Sequence, residues 1–185
     1  MGKLRVYNFL SLNGFYKGAN NDISWAKTQD RDESEFAAKN LQKGAALIFG
    51  RVTYELMVSY WPTPEGKASD PAVAAGMNKA EKIVFSRSLD RVDWDNARLA
   101  RGELVDEIKK LKSGSKKDMT ILGSGSIVRQ LTDAGLIDEY QLMYHPVAIG
   151  EGTPLLEGTS GNLDFKVVDA KQFRSGSIFV TYGRK

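Results

Sequence analysis

Residues 119–128, MTILGSGSIV, pass from a short apolar strand through a glycine–serine corner into a helix. Met119 to Leu122 reads as the strand. Ile127, Val128, Leu131 and Ala134 then recur at helical spacing up to Gly135. A helix start presents unpaired N–H groups and about half a positive charge, which suits a phosphate. Glycine lets a ligand approach the backbone closely, and the hydroxyls of Ser124 and Ser126 add donors. The GxGxxG fingerprint fails, because Val128 stands where its third glycine belongs, and no GxxxxGKS/T run occurs. A serine-capped tight turn accounts for the same residues equally well.

Outward from this corner the alternation of strand and helix continues. Leu4 to Leu10 reads as a strand and leads into a loop at Asn13-Gly14. Asp32 to Lys43 reads as a helix, with Asp30 or Asp32 as its N-cap and Gly44 as its stop. Ala45 to Phe49 is a buried strand and Arg51 to Tyr60 a helix; Pro62, Pro64 and Gly66 mark a loop before a short helix from Asp70 to Lys79. Lys82 to Phe85 and Ala97 to Ala100 are strands. Glu103 to Lys112 is a helix with its acids early and its lysines late. Glu139 to Tyr144 alternates as a strand, and Phe165 to Phe173 and Ser177 to Tyr182 flank a Ser175-Gly176 turn. The pattern predicts an α/β fold over residues 1–185: a mostly parallel mixed sheet with helices on both faces and a C-terminal antiparallel hairpin. Ligands of such sheets bind where strands end and helices begin. Glu139 to Tyr144 and the hairpin, read as antiparallel edges that need cover, predict a homodimer.

Composition removes many chemistries. The chain has 185 residues, no Cys and a single His, so disulfides, thiolate metal sites and paired imidazoles are excluded, and no metal site is expected. The 26 basic against 23 acidic residues leave a net charge of +3, mild and diffuse. Lys109, Lys110, Lys112, Lys116 and Lys117 gather at a helix end, where the dipole favours cations, so nucleic acid is not expected as a partner. The opening MGKLRVYNFLSLNG holds too short an apolar run for a signal peptide, and no run approaches a membrane span; a cytoplasmic location is the expectation.

Two further corners share the character of the first. Phe49-Gly50-Arg51-Val52-Thr53-Tyr54-Glu55 runs strand, glycine, helix, with a guanidinium and a hydroxyl in the first helical turn. Val84-Phe85-Ser86-Arg87-Ser88 crowds polar groups at a strand end, where an arginine can grip a phosphate monoester with two parallel bonds.

In order and spacing these segments resemble the dihydrofolate reductase superfamily, closest to the C-terminal reductase domain of riboflavin biosynthesis. The likeness runs nearly end to end: Ser11-Leu12-Asn13-Gly14-Phe15, the Gly50 to Glu55 and Val84 to Ser88 corners, Leu122 to Ser126, and the VAIGEGTPL stretch from Val147 to Leu155. The resemblance implies a three-layer α/β/α fold, NADPH as cofactor and hydride transfer to a pteridine, pyrimidine or related nitrogen heterocycle. It implies cofactor contacts at Gly50, Arg51, Thr53, Ser86, Arg87, Ser88, Gly123, Ser124, Gly125, Ser126 and Ile127. The Asn13-Gly14 loop looks like the one that closes over the nicotinamide. On the substrate side the candidates are Asn13, Phe15, Trp25, Tyr54 and Trp61. Dihydrofolate reductases place a carboxylate on their first helix to hold the pterin, and the Asp22-Ile23-Ser24-Trp25 stretch resembles that element, so Asp22 is the catalytic candidate. Leu122 and Asn13 stand where riboflavin-type reductases carry acids. A non-catalytic nucleotide-binding protein of the same fold is the alternative.

Overall fold

The computed structural model describes residues 2–28, 30–42, 46–114 and 116–185. Its strands are β1 (Leu4–Leu10), β2 (Phe15–Gly18), β3 (Ala46–Gly50), β4 (Lys82–Phe85), β5 (Ala97–Ala100), β6 (Met119–Leu122), β7 (Glu139–Tyr144), β8 (Gly152–Pro154), β9 (Phe165–Gln172) and β10 (Ile178–Arg184). Its α-helices are α1 (Arg31–Gln42), α2 (Arg51–Val58), α3 (Pro64–Ser69), α4 (Pro71–Lys79), α5 (Leu104–Gly114) and α6 (Gly125–Asp133). The main sheet has eight strands in the order β5-β4-β3-β6-β1-β7-β10-β9, and β2 pairs with β8 in a small sheet of their own. All main-sheet pairings are parallel except those of β10 with β7 and β9. The expected mixed sheet with a terminal antiparallel hairpin is therefore present.

Both faces are covered. On one, Leu4, Val6, Ile48, Ile83 and Ile121 meet Ile108 of α5 and Ile127, Val128 and Leu131 of α6. On the other, Leu47, Phe49 and Val84 pack with Tyr54 of α2, Met77 of α4 and Trp94, while Met143, Phe173 and Phe179 pack with Phe36 of α1. Each such side chain contributes about 1.5–3 kcal/mol by leaving water, which is what holds the layers together. Strand β1 alternates strictly, buried on the α5/α6 side and half-open on the other. That half-open side becomes the floor of the site.

The structure departs from three expectations. Strand β7 is not an edge: it lies parallel to β1 on one side and antiparallel to β10 on the other, so the sheet's edges are β5 and β9. The Pro62–Gly66 stretch is not all loop, because Thr63 Oγ1 accepts from Gly66 N and caps α3 with Pro64 at its start. Helix α2 stops at Val58, two residues short of Tyr60. The strand pair β2 and β8 was not foreseen; both are too short to carry an alternating pattern. The Lys43 and Gly44 ending foreseen for α1 lies outside the described residues. No helix among the described residues is long and apolar enough to cross a membrane.

Candidate active site

Because β4, β3 and β6 are parallel neighbours, their carboxyl ends lie side by side and their exits open into one cleft of about 1800 Å³. Gly50, Arg51, Thr53, Ser86, Arg87, Ser88 and the whole Gly123–Ile127 turn line it. Two corners are stitched directly. Gly50 N donates to Ser124 Oγ at 2.7 Å; Ser124 N and Oγ donate to Thr53 Oγ1 at 3.1 and 3.0 Å. The partners lie more than seventy residues apart in the chain, so only sheet order brings them together. Gly123 and Ser124 both have left-handed backbones, φ +58° and +57°. A Cβ on Gly123 would lie 2.8 Å from Thr53 Oγ1, so glycine is demanded there by conformation and by space alike. Ser124 spends its side chain on Gly50 and Thr53 and makes no cap bond to α6, whose first turn lines the cleft.

The third corner folds on itself. Ser86 Oγ accepts from Ser88 N at 3.1 Å and Leu89 N at 3.0 Å, and Arg87 is held out with 93% of its side chain exposed, 3.7 Å from Glu103. Arg51 lies against Glu55 at 2.9 Å, half-exposed on the first turn of α2. Tyr16, from β2, lies over the glycine turn; Gly125 N donates to its hydroxyl at 3.3 Å.

The substrate-side candidates divide. Trp61 lines the cleft, its Nε1 held against Met57 Sδ at 3.2 Å. Asn13, Phe15, Trp25 and Tyr54 do not line it. Tyr54 is core, packed on Trp94, with its hydroxyl accepting from Asp93 N at 2.9 Å. The Asn13 side chain brackets the backbone of Ile149, donating to its oxygen at 2.8 Å and accepting from its nitrogen at 3.2 Å, which pins the loop to the Val147–Leu155 segment. Asp22 is also outside the cleft; its carboxylate accepts from Ser24 N at 2.9 Å, and this bond lowers its pKa. It serves a surface turn.

Of the acids that line the cleft, which include Asp70, Glu103, Glu139 and Glu157, the buried one is Glu33, on the first α-helix and only 2% exposed. Thr28 Oγ1 and Ser175 Oγ donate to its Oε2 at 3.1 and 2.8 Å. Its Oε1 has no hydrogen-bond partner among the described residues, nor has the buried hydroxyl of Tyr7, which burial and then the Glu33 charge push well above the ordinary tyrosine range. Beside Tyr7 on the sheet floor, Gln141 and Thr181 fall in one row across neighbouring strands. A signal for Glu33 exists in sequence: Glu33, Phe36, Ala37, Asn40 and Leu41 recur at helical spacing, so a carboxylate sits on the stripe that faces the sheet.

Comparison with known proteins follows the same lines. The sequence profile described as the RibD C-terminal domain matches residues 3–179. A Bacillus subtilis (strain 168) protein, YyaP, itself uncharacterized, is 28% identical over 174 residues, 94% of this chain and 90% of its own. The crystal structure of a putative riboflavin biosynthesis protein from Shewanella sp. PV-4 superposes with a TM-score of 0.77 at 22% identity, covering 99% of each chain. Enterococcus faecalis dihydrofolate reductase, solved in complex with NADP(H), superposes at 0.67 with 16% identity over 100% of this chain and 97% of its own.

Proposed function

The chain belongs to the RibD C-terminal domain family, and from that premise we propose that it is an NADPH-dependent reductase that delivers hydride to a pteridine, pyrimidine or related nitrogen heterocycle. The observation that carries this reading is the convergence of the Gly50, Ser86–Ser88 and Gly123–Ile127 corners on one cleft. The cleft fits a dinucleotide. A helix start that Ser124 does not cap and a left-handed glycine–serine corner offer backbone donors for a pyrophosphate. Gly50, Arg51, Thr53 and the Gly123–Ile127 turn would hold that group, and Ser86, Arg87 and Ser88 the 2′-phosphate.

When bound, the cofactor supplies a hydride. The protein's share is to position and to exclude water. Glu33 offers a carboxylate for the N–H edge of a heterocycle, in the role the resemblance had assigned to Asp22. Trp61 adds apolar wall to the cleft, and Gln141 and Thr181 offer neutral polar partners from the sheet floor.

Titration of NADPH, followed by its fluorescence, tests the reading: binding well below millimolar is expected, since a site worth only roughly 4 kcal/mol would lack any working phosphate clamp. A Kd of about 1 mM or weaker rejects it. Tight binding with no oxidation across a panel of heterocycles would instead make the chain a nucleotide-binding protein.

A further inference from the structure

Behind Glu33 lies the one imidazole of the chain. His145 follows β7 and is 6% exposed, its ring edge-on to Phe9 and Trp25 at centroid distances of 5.4 and 5.9 Å. Its Nδ1 lies 3.3 Å from Ser177 Oγ, and its Nε2 lies 3.7 Å from Glu33 Oε1. Neither Nε2 nor Oε1 has another hydrogen-bond partner among the described residues. Each is costly to bury alone; a proton on Nε2 answers both at once.

The pair is clamped from a distance in sequence. The hairpin turn supplies Ser175, which donates to Glu33 Oε2 through its hydroxyl and to Asp30 through its backbone N–H at 2.9 Å, and Ser177, which meets the imidazole. Asp30 also accepts from Glu33 N at 3.2 Å, fixing the start of α1. The other titratable groups around the pair are Tyr7 from β1, Asp30 ahead of α1, and Lys171 from β9, whose ammonium sits over the Phe36 and Phe173 rings at 5.1 and 4.6 Å. Burial holds the imidazole below its ordinary range while the Glu33 charge draws it back up.

We propose that His145 is a positioning residue for Glu33: it stores, behind the carboxylate, the proton that a substrate nitrogen takes up when the adjacent carbon receives hydride. The inference rests on the reductase reading. The hydride brings two electrons and forms the new C–H bond while the reduced nicotinamide is oxidised. The C=N π pair moves onto nitrogen, which takes up the proton that His145 Nε2 passes through the Glu33 carboxylate; Glu33 is left charged as it began, and solvent reloads His145. The arrangement gives the C-terminal hairpin turn a task in the site, because its serines hold both partners in register.

A chain with one histidine assigns its own imidazole signal, so NMR of histidine-labelled protein reads the pair without substrate. The imidazole midpoint should fall by about one pH unit in Glu33→Gln, since the variant removes the charge that raises it. An unchanged midpoint overturns the pairing. In turnover, wild-type kcat should drop as pH rises through the His145 midpoint. His145→Gln, and the milder Ser177→Ala, should displace or flatten that limb while NADPH affinity stays within twofold; a limb that stays in place overturns proton storage. If His145→Gln does not fold, Ser177→Ala carries the kinetic arm. Failure of every heterocycle to oxidise NADPH overturns the reductase reading and with it the proton's destination, while the imidazole titration still decides the pairing.

Discussion

The two ends of the cleft are built on opposite principles. At the end proposed for the nucleotide the atoms on offer are backbone N–H groups and short side chains at the exits of β3, β4 and β6, each corner contiguous over five or six residues. At the acid end they are side chains drawn from a helix, a strand end and a hairpin turn: Glu33, His145 and Ser177, all buried, with Ser175 bonded to Glu33 from the exposed turn. The first kind of site tolerates an exposed arginine such as Arg87. The second depends on packing, because a buried carboxylate keeps its geometry only while every neighbour does. A ligand that bridges both ends would meet a soft electrostatic grip on one side and a rigid anchor on the other.

The contrast is broken most directly at the acids. Glu33→Gln should lower kcat by roughly 100-fold or more, the range typical of removing a positioned acid–base group, with NADPH affinity preserved. Asp22→Ala should leave both within about twofold of wild type, consistent with an exposed turn. Stopped-flow NADPH oxidation with any accepted heterocycle measures both, and equal losses would restore Asp22 to the site.

At the other end, Arg87→Ala should weaken NADPH by roughly 10- to 100-fold, the worth of charge-assisted bonds to a phosphate, and NADH far less. Equal weakening of the two cofactors removes Arg87 from the 2′-phosphate. Gly123→Ala sharpens the same end from the side of the fold: the left-handed backbone and the 2.8 Å approach to Thr53 should together cost about 1–3 kcal/mol in urea unfolding. A neutral result would show that the corner relaxes, and that its glycine is there for the ligand alone.

The smallest effect concerns pH and stability. Because the folded His145 binds its proton less readily than the ordinary value of 6.5, the unfolded chain takes up protons first as pH falls. Stability from this group is complete above about pH 6.5 and declines as pH drops from there through the folded midpoint. His145→Gln should flatten that decline in urea midpoints recorded against pH, and an identical slope in the variant would place the acid sensitivity elsewhere.

Some of this was legible in the chain and some was not, for reasons the same contrast explains. The glycine corners announce themselves because a strand, a glycine and a helix start are local events governed by backbone conformation. Glu33 stands on a helical stripe that faces the sheet, whereas the Asp22 stretch carries only a short motif likeness, which says nothing about which way a carboxylate faces. Asn13, a substrate-side candidate, fastens its loop to Ile149, a bond between residues more than a hundred positions apart that no local pattern announces. Tyr54 looked like cleft lining; its one-turn position on α2 aims it at Trp94.

Alternating apolar patterns and the glycine corners thus determined, from sequence alone, an α/β sheet with glycine- or serine-bearing turns at its strand ends. Only the tertiary structure decided that three of those turns share one cleft, that β7 is interior, and that a helix, a strand end and the last hairpin meet around one buried acid. The physical reason is range: hydrogen-bond periodicity and backbone sterics act within a few residues, whereas strand order, and with it every cross-chain contact, is settled by how complete layers bury their apolar faces.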